Sequence, residues 1–336
     1  MVPPVRDVRS WHGLRGLHNL KPGFVHLSEA TMGQGTHAHV VVAVNGSPAS
    51  ERAVGWASGE ARRRGHGLRI VYALGWPLYR SLPLGLPGFN LDESALRIVG
   101  SARRRAVELE PDVTVEAVDV IGDPETVLLL ESQSASMLVL GAHHRKALDA
   151  VLPASTVLEM LASAACPVVV VPDRPPEAAT DRILVGVDGS ETSRAALEWA
   201  FSAADAREAA LRAVTVRENT AWWRSGASED PSWAGNGKQP KPGKVEERRA
   251  YCEALSTAVA DEHARWPQVQ VEEVVATGHP ARVLCTSARD CDLMVVGSHG
   301  CGGFAGMLLG SVSQNVISHS PCPVAVIRPP RPLGAA

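Results

Sequence analysis

The chain has 336 residues, 45% apolar and 21% charged, with 4% aromatics and a formal net charge of −3. That length suits two domains. The near-neutral balance and scarce aromatics exclude readings built on nucleic-acid or anionic-membrane electrostatics, and no apolar stretch approaches the roughly 18 residues of a membrane span.

Residues 1–37 read as a disordered tail. Met1 to Leu20 carries Arg6, Arg9 and Arg15 but no apolar segment of a secretory leader. His12, His18, His26, His37 and His39 fit no metal-ligand spacing. Cys166, Cys252, Cys285, Cys291, Cys301 and Cys322 form no CxxC pair, which points to a reduced, cytoplasmic setting.

Residues 38–173 form the first expected domain, with strands near Val40, Leu68, Val113, Leu138 and Val168. Asp123 and Glu125 look like a carboxylate pair, but their place after Gly122 and around Pro124 argues for a helix start. The stretch Pro172 to Asp181, PDRPPEAATD, holds a short linker at 174–180. The second domain is expected over 181–330. Ile183 to Val187 reads as a buried parallel strand, and Ser190 as the cap of the helix after it. Ala196, Trp199, Ala200 and Ala203 recur at helical spacing. Leu211 to Val216 is the second strand. Trp222 to Lys244, rich in Gly, Pro, Ser and Lys, reads as a loop. A long helix is expected over Val245 to Arg265, a strand over Val269 to Val275 and a helix over Pro280 to Arg289. A strand over Leu293 to Val296, a helix from Ser311 and a strand over Val324 to Ile327 complete it.

The two halves are one sequence written twice. Asn45, Gly46, Ser47 and Trp56 fall on Asp188, Gly189, Ser190 and Trp199 at an offset of 143. Beyond the insertion, Gly122 and Pro124 fall on Gly278 and Pro280, and Cys166-Pro167-Val168 on Cys322-Pro323-Val324, at an offset of 156. Strands alternating with helices imply an α/β fold with a parallel sheet covered on both faces. Such sheets bind ligands at the carboxyl ends of their strands.

The fourth strand of the second copy opens into Gly297-Ser298-His299-Gly300, nine residues, then Gly310-Ser311-Val312-Ser313. Gly297 is expected where a backbone approaches a ligand, and Gly300 where the chain turns with positive φ. Gly310 and Ser311 open a helix whose first amides lack helical partners, a natural anion site. The hydroxyls of Ser311 and Ser313 can add hydrogen bonds to phosphate. Asp188, on the same edge, can accept from a ribose hydroxyl or a base amine. Cys301 reads as a small loop residue, with a low-pKa thiol as the alternative.

This loop, the opening Val187 to Ser190, the Gly278-His-Pro280 turn and the ending Ser320 to Pro323 together resemble the tandem-domain universal stress protein family, in both copies. The resemblance implies two five-stranded parallel sheets in the order 3-2-1-4-5, flanked by helices, of the adenine nucleotide α-hydrolase-like type. It implies ATP as ligand, with Mg²⁺ as its companion. Gly186, Asp188 and Val216 would line the adenosine pocket. Gly297, Ser298, His299 and Gly300 would wrap ribose and phosphates, and Gly310, Ser311, Val312 and Ser313 would bind the outer phosphates. It also implies that the two domains pair within the chain through their last strands; pairing of two chains is a further expectation.

The first copy departs from the pattern. Asn45 replaces the acid, His144 the second glycine and Ala154 the third, while Ser155, Thr156, Arg145 and Lys146 keep polar and positive groups nearby. A degenerate structural partner and an altered anion site are both open readings. For the whole chain three classes stand: a nucleotide-binding stress sensor or regulator, a slow ATPase, and an interaction module without nucleotide. The absence of Gly-x4-Gly-Lys-Ser/Thr argues against a fast phosphotransfer enzyme.

Overall fold

The computed structural model describes residues 39–75, 91–142, 154–172, 179–217, 242–301 and 309–329. The expected tail, residues 174–178 of the linker and residues 222–241 of the insertion lie outside them. The first copy runs β1 (His39–Ala43), α1 (Pro48–Arg64), β2 (Gly67–Leu74), α2 (Leu91–Leu109), β3 (Val115–Ile121), α3 (Pro124–Ser132), β4 (Ala135–Gly141), α4 (Ala154–Ser163) and β5 (Val168–Val171). The second runs β6 (Arg182–Gly186), α5 (Glu191–Arg207), β7 (Ala210–Arg217), α6 (Pro242–His263), β8 (Val271–Thr277), α7 (Pro280–Ser287), β9 (Leu293–Gly297), α8 (Ser311–His319) and β10 (Val324–Ile327).

Local chemistry explains the boundaries. Ser47 and Ser190 cap α1 and α5, accepting from the amides of Ser50 at 3.2 Å and Ser193 at 3.1 Å. Asp123 caps α3 in the same way, accepting from Thr126 N at 3.1 Å, so the apparent carboxylate pair is a helix start. β8 begins two residues later than its alternation suggests. Val269 instead closes the turn after α6, its amide donating to Trp266 O at 3.1 Å.

The strand order is β3-β2-β1-β4-β5-β10-β9-β6-β7-β8, in one ten-stranded sheet. Each copy has the expected order 3-2-1-4-5, but the expectation of two separate sheets is corrected. β5 and β10 pair antiparallel, Val168 with Val326, Val169 with Ala325 and Val170 with Val324, while every other pair is parallel. The reason lies in the strands themselves. VVVV and VAVI are buried throughout, and left as edges they would present unpaired backbone to solvent.

Each face of the sheet carries one core that continues across this junction. On one face α1, α2, α5 and α6 cover a cluster including Val40, Ile70, Val169, Val185, Phe201 and Ala325. On the other, α3, α4, α7 and α8 cover Leu138, Met160, Val170, Met294, Val316 and Val324. Equivalent arginines pin the strands at the amino end of each copy. Arg69 reaches Glu116 at 2.6 Å and Glu131 at 2.8 Å, and Arg212 reaches Glu272 at 2.7 Å and Asp290 at 2.8 Å.

Candidate functional site

The site is built where β6, β9 and the starts of α5 and α8 meet. After β6 the chain turns at Asp188-Gly189-Ser190. Gly189 has φ +84° and its counterpart Gly46 has φ +78°, a region that side chains disfavour, so both copies keep glycine. Asp188 Oδ1 accepts from Ser190 N at 3.0 Å. Its Oδ2 accepts from Cys301 N, also at 3.0 Å, across the glycine loop. Thr192 Oγ1 donates to the carbonyl of His299. The strand end, the helix start and the loop are thereby one hydrogen-bonded unit.

The electrostatics follow from these contacts. Burial alone would raise the Asp188 pKa, but hydrogen bonds from Ser190, Cys301 and Ser193 outweigh it and hold the carboxyl below its ordinary value. Cys301 donates its thiol to the Asp188 carbonyl at 3.2 Å. Partial burial and the Asp188 charge push that thiol up, so the alternative of a low-pKa thiol is corrected.

Two glycines serve different needs from those expected. A Cβ on Gly297 would lie 2.7 Å from Thr192 Oγ1 and 2.9 Å from Thr192 C, so this glycine is needed to admit the start of α5. Gly141 does the same in the first copy, where a Cβ would lie 2.5 Å from the carbonyl carbon of Ala49. Gly300 has no left-handed φ. Its constraint is proximity: a Cβ there would stand 2.5 Å from Asp188 Oδ2.

Gly310 is the N-cap of α8 and no side chain caps the helix. Its own amide donates to Ser298 O at 2.8 Å, which ties the two ends of the loop together; residues 302–308 lie outside the described residues. Ser311 is exposed at the first turn, and Val312 is half-buried against the core beneath α8. Ser313 is buried, and its hydroxyl donates to Gly297 O at 2.7 Å, with Ser298 O at 3.3 Å. That hydroxyl anchors α8 to β9, an alternative use to the expected donation to phosphate. Ser298 is buried too, with its amide on Ile327 O at 2.8 Å and its hydroxyl 3.1 Å from His299 Nδ1.

Asp188, Ser298, His299, Gly300 and Gly310 therefore come together at one edge. Gly186 ends β6, where a Cβ would meet Leu284 of α7 at 3.3 Å, and Val216 lies near the end of β7 against the same core. Sequence reasoning missed Thr192 and the Cys301 amide. The repeat held a signal for the first, since Thr192 stands where the first copy has Ala49.

In the first copy, Asn45 is buried and its Oδ1 accepts from Ser47 N at 3.0 Å, as Asp188 accepts from Ser190. Thr156 Oγ1 is 3.4 Å from Glu125 Oε1. His144, Arg145 and Lys146 lie outside the described residues, as do the side chains of Ala154 and Ser155.

Comparison with known proteins identifies the family and the fold. The family model described as the universal stress protein family matches residues 37–172 and again 179–328. The chain belongs to the universal stress protein family. It is a tandem member: a universal stress protein of Mycobacterium tuberculosis is 33% identical over 327 residues, covering 89% of this chain and 97% of that one. A second from the same organism is 32% identical over 302 residues, covering 86% and 96%. Among solved structures, a universal stress protein from Archaeoglobus fulgidus matches with TM-score 0.62 at 18% identity, covering 88% of this chain and 97% of its own. A structure described as a universal stress protein from Pseudomonas aeruginosa matches with TM-score 0.55 at 14% identity, covering 87% and 94%. These likenesses bear on the fold. Among the described residues no helix is long and apolar enough to cross a membrane, and no group of three metal-ligating side chains occurs.

Proposed function

We propose that the second copy binds ATP or a related adenine nucleotide, and that the protein acts as a stress-response sensor or regulator rather than a fast enzyme. One observation carries this reading: Asp188 holds the glycine loop beside the start of α8, where no side chain caps the helix. A glycine at the cap leaves the first amides of α8 to an incoming anion. Added side chains would crowd this cradle. A Cβ at Gly300 would meet Asp188, and one at Gly310 would lie 3.3 Å from both His299 Cα and Ser298 O.

In this reading the phosphates rest on the amides of Ser311, Val312 and Ser313 and on the Ser311 hydroxyl. Asp188 lies on the adenosine side, with Gly186 and Val216. Mg²⁺ would travel with the phosphates. The site lacks a loop lysine, and Asp188, the acid of this edge, is committed to two amides. Those features favour holding a nucleotide over transferring its phosphate. Free thiols at all six cysteines accord with a cytoplasmic setting. Calorimetric titration of ATP into the purified chain tests the binding claim. Turnover at ordinary enzyme rates that is lost on changing His299 would overturn the binder reading.

A further inference from the structure

α1 and α5 are the same helix in the two copies, each 17 residues long and offset by 143 from end to end. They meet on one face of the sheet, in the core that spans the β5–β10 junction. There Arg64 of α1 lies over the ring of Trp199 at 4.9 Å, and Arg207 of α5 over the ring of Trp56 at 5.3 Å. This is one contact made twice, because Trp56 and Arg64 are the counterparts of Trp199 and Arg207. The strand register obeys the same symmetry. Val169 and Ala325 are counterparts and face each other, while Val168 pairs with Val326 and Val170 with Val324. A pseudo-twofold axis thus runs through the junction and between the two helices.

Glu60 and Arg63 break the symmetry. Glu60 is completely buried, with Oε1 at 2.6 Å from Arg64 Nε and Oε2 at 2.6 Å from Arg207 Nη2. Its carboxylate bridges the two symmetry-related arginines, one oxygen to each, and so lies between them near the axis. Arg63 adds a third positive charge at 3.6 Å. The counterparts of Glu60 and Arg63 are Ala203 and Ala206, and Ala203 is also fully buried.

An axial position takes one carboxylate. Two first copies paired this way would bring two Glu60 side chains to it. Two second copies would bring two buried Arg207 side chains and no acid. The unlike pair alone supplies one. We propose that Glu60 is a pairing key: it makes the first copy the required partner of the second and makes this interface refuse like with like. A single buried polar group sets partner choice in this manner when one wrong pairing crowds like charges and the other leaves charge uncompensated. The first copy thereby has a role whether or not it binds a ligand.

The test uses the full chain and its thermal unfolding. E60A strands the arginines, so its melting temperature falls by about 10 °C or its single transition splits in two. E60A/A203E returns one carboxylate to the axis from the opposite helix, and recovers to within about 3 °C of the unaltered chain. A203E alone places two acids there and loses stability as E60A does. A double variant no more stable than E60A, or an E60A that melts like the parent, would overturn the proposal. Should E60A not fold, the order of A203E below E60A/A203E reads the same question, and its reversal refutes it.

Discussion

Asp188 and Cys301 are joined twice: the carboxylate accepts the Cys301 amide at 3.0 Å, and the Asp188 carbonyl accepts the Cys301 thiol at 3.2 Å. The carboxylate has two acceptor oxygens and uses both, the other on Ser190. Asn45, in the first copy, has one acceptor oxygen and uses it on Ser47. The acid at this position therefore has a structural task. It closes the loop that forms the site.

Asp188→Asn separates these roles. The amide keeps the turn with Ser190 but offers the Cys301 amide no second acceptor. Hydrogen exchange at Cys301 should accelerate, and ATP affinity should fall about 10-fold, as for loss of a hydrogen bond to a charged group. Thermal stability should change little, because the turn and core remain. Unchanged exchange at Cys301 in this variant would show that the loop is held by other contacts.

Gly300→Ala and Gly310→Ala should differ. The first methyl would arrive 2.5 Å from a carboxylate oxygen, so the loop must move. The second would meet backbone at 3.3 Å, where a shift of a few tenths of an ångström suffices, and φ is an ordinary −68°. ATP titration should show a loss of at least about 10-fold for Gly300→Ala and a smaller one for Gly310→Ala, with both folds intact by circular dichroism. The bulkier Gly300→Val and Gly310→Val should both abolish binding. Equal, small losses for the two alanine variants would contradict the close-approach account of Gly300.

Much of this was legible in the residues. Short branched runs such as RILVG and LMVVG mark buried parallel strands, and the two offsets bring the copies into register. What was not legible has physical causes. Glycine answers both positive φ and close approach, so the sequence alone could not tell which of these Gly300 and Gly297 serve. A serine in the first turn of a helix points either outward or back to the strand, and Ser313 points back. The β5–β10 pairing was readable only through the resemblance, because the apolar runs VVVV and VAVI signal a need for cover but not the partner or its direction. Glu60 has no matching acid in the second copy, so the repeat does not point to it. Its signal was a mismatch: an acid on the alanine-lined face of Ala53, Ala57 and Ala61, where the second copy has Ala203.

Ser313→Ala should cost about 1 kcal/mol of stability, the worth of a typical buried hydrogen bond. Its ATP affinity should stay within about 3-fold of the parent, well under the about 10-fold expected where a hydrogen bond to a charged phosphate is lost. Urea unfolding and ATP titration on the same preparation separate the two. A large affinity loss with unchanged stability would return the Ser313 hydroxyl to the phosphate site.

Glu60 gives the fold an acid limit. Burial raises its pKa, but Arg207, Arg64 and Arg63 together hold it below the ordinary carboxylate value. In the unfolded chain such a group titrates near about 4.3. Its contribution is therefore fully present above that pH and is lost as pH falls through the lower folded value. Glu60→Gln should cost about 3 kcal/mol at neutral pH and show a shallower decline of stability below about pH 4. Parallel pH profiles for the two proteins would show that Glu60 has no depressed pKa in the folded chain.

One strong nucleotide site is expected in each chain, formed by the second copy. Titrating ATP into the full-length protein and into its Gly300→Val variant tests this most directly. The parent should bind close to one ATP per chain, and the variant none. Two equivalent sites per chain, no binding by the parent, or an unchanged affinity in the variant would contradict it.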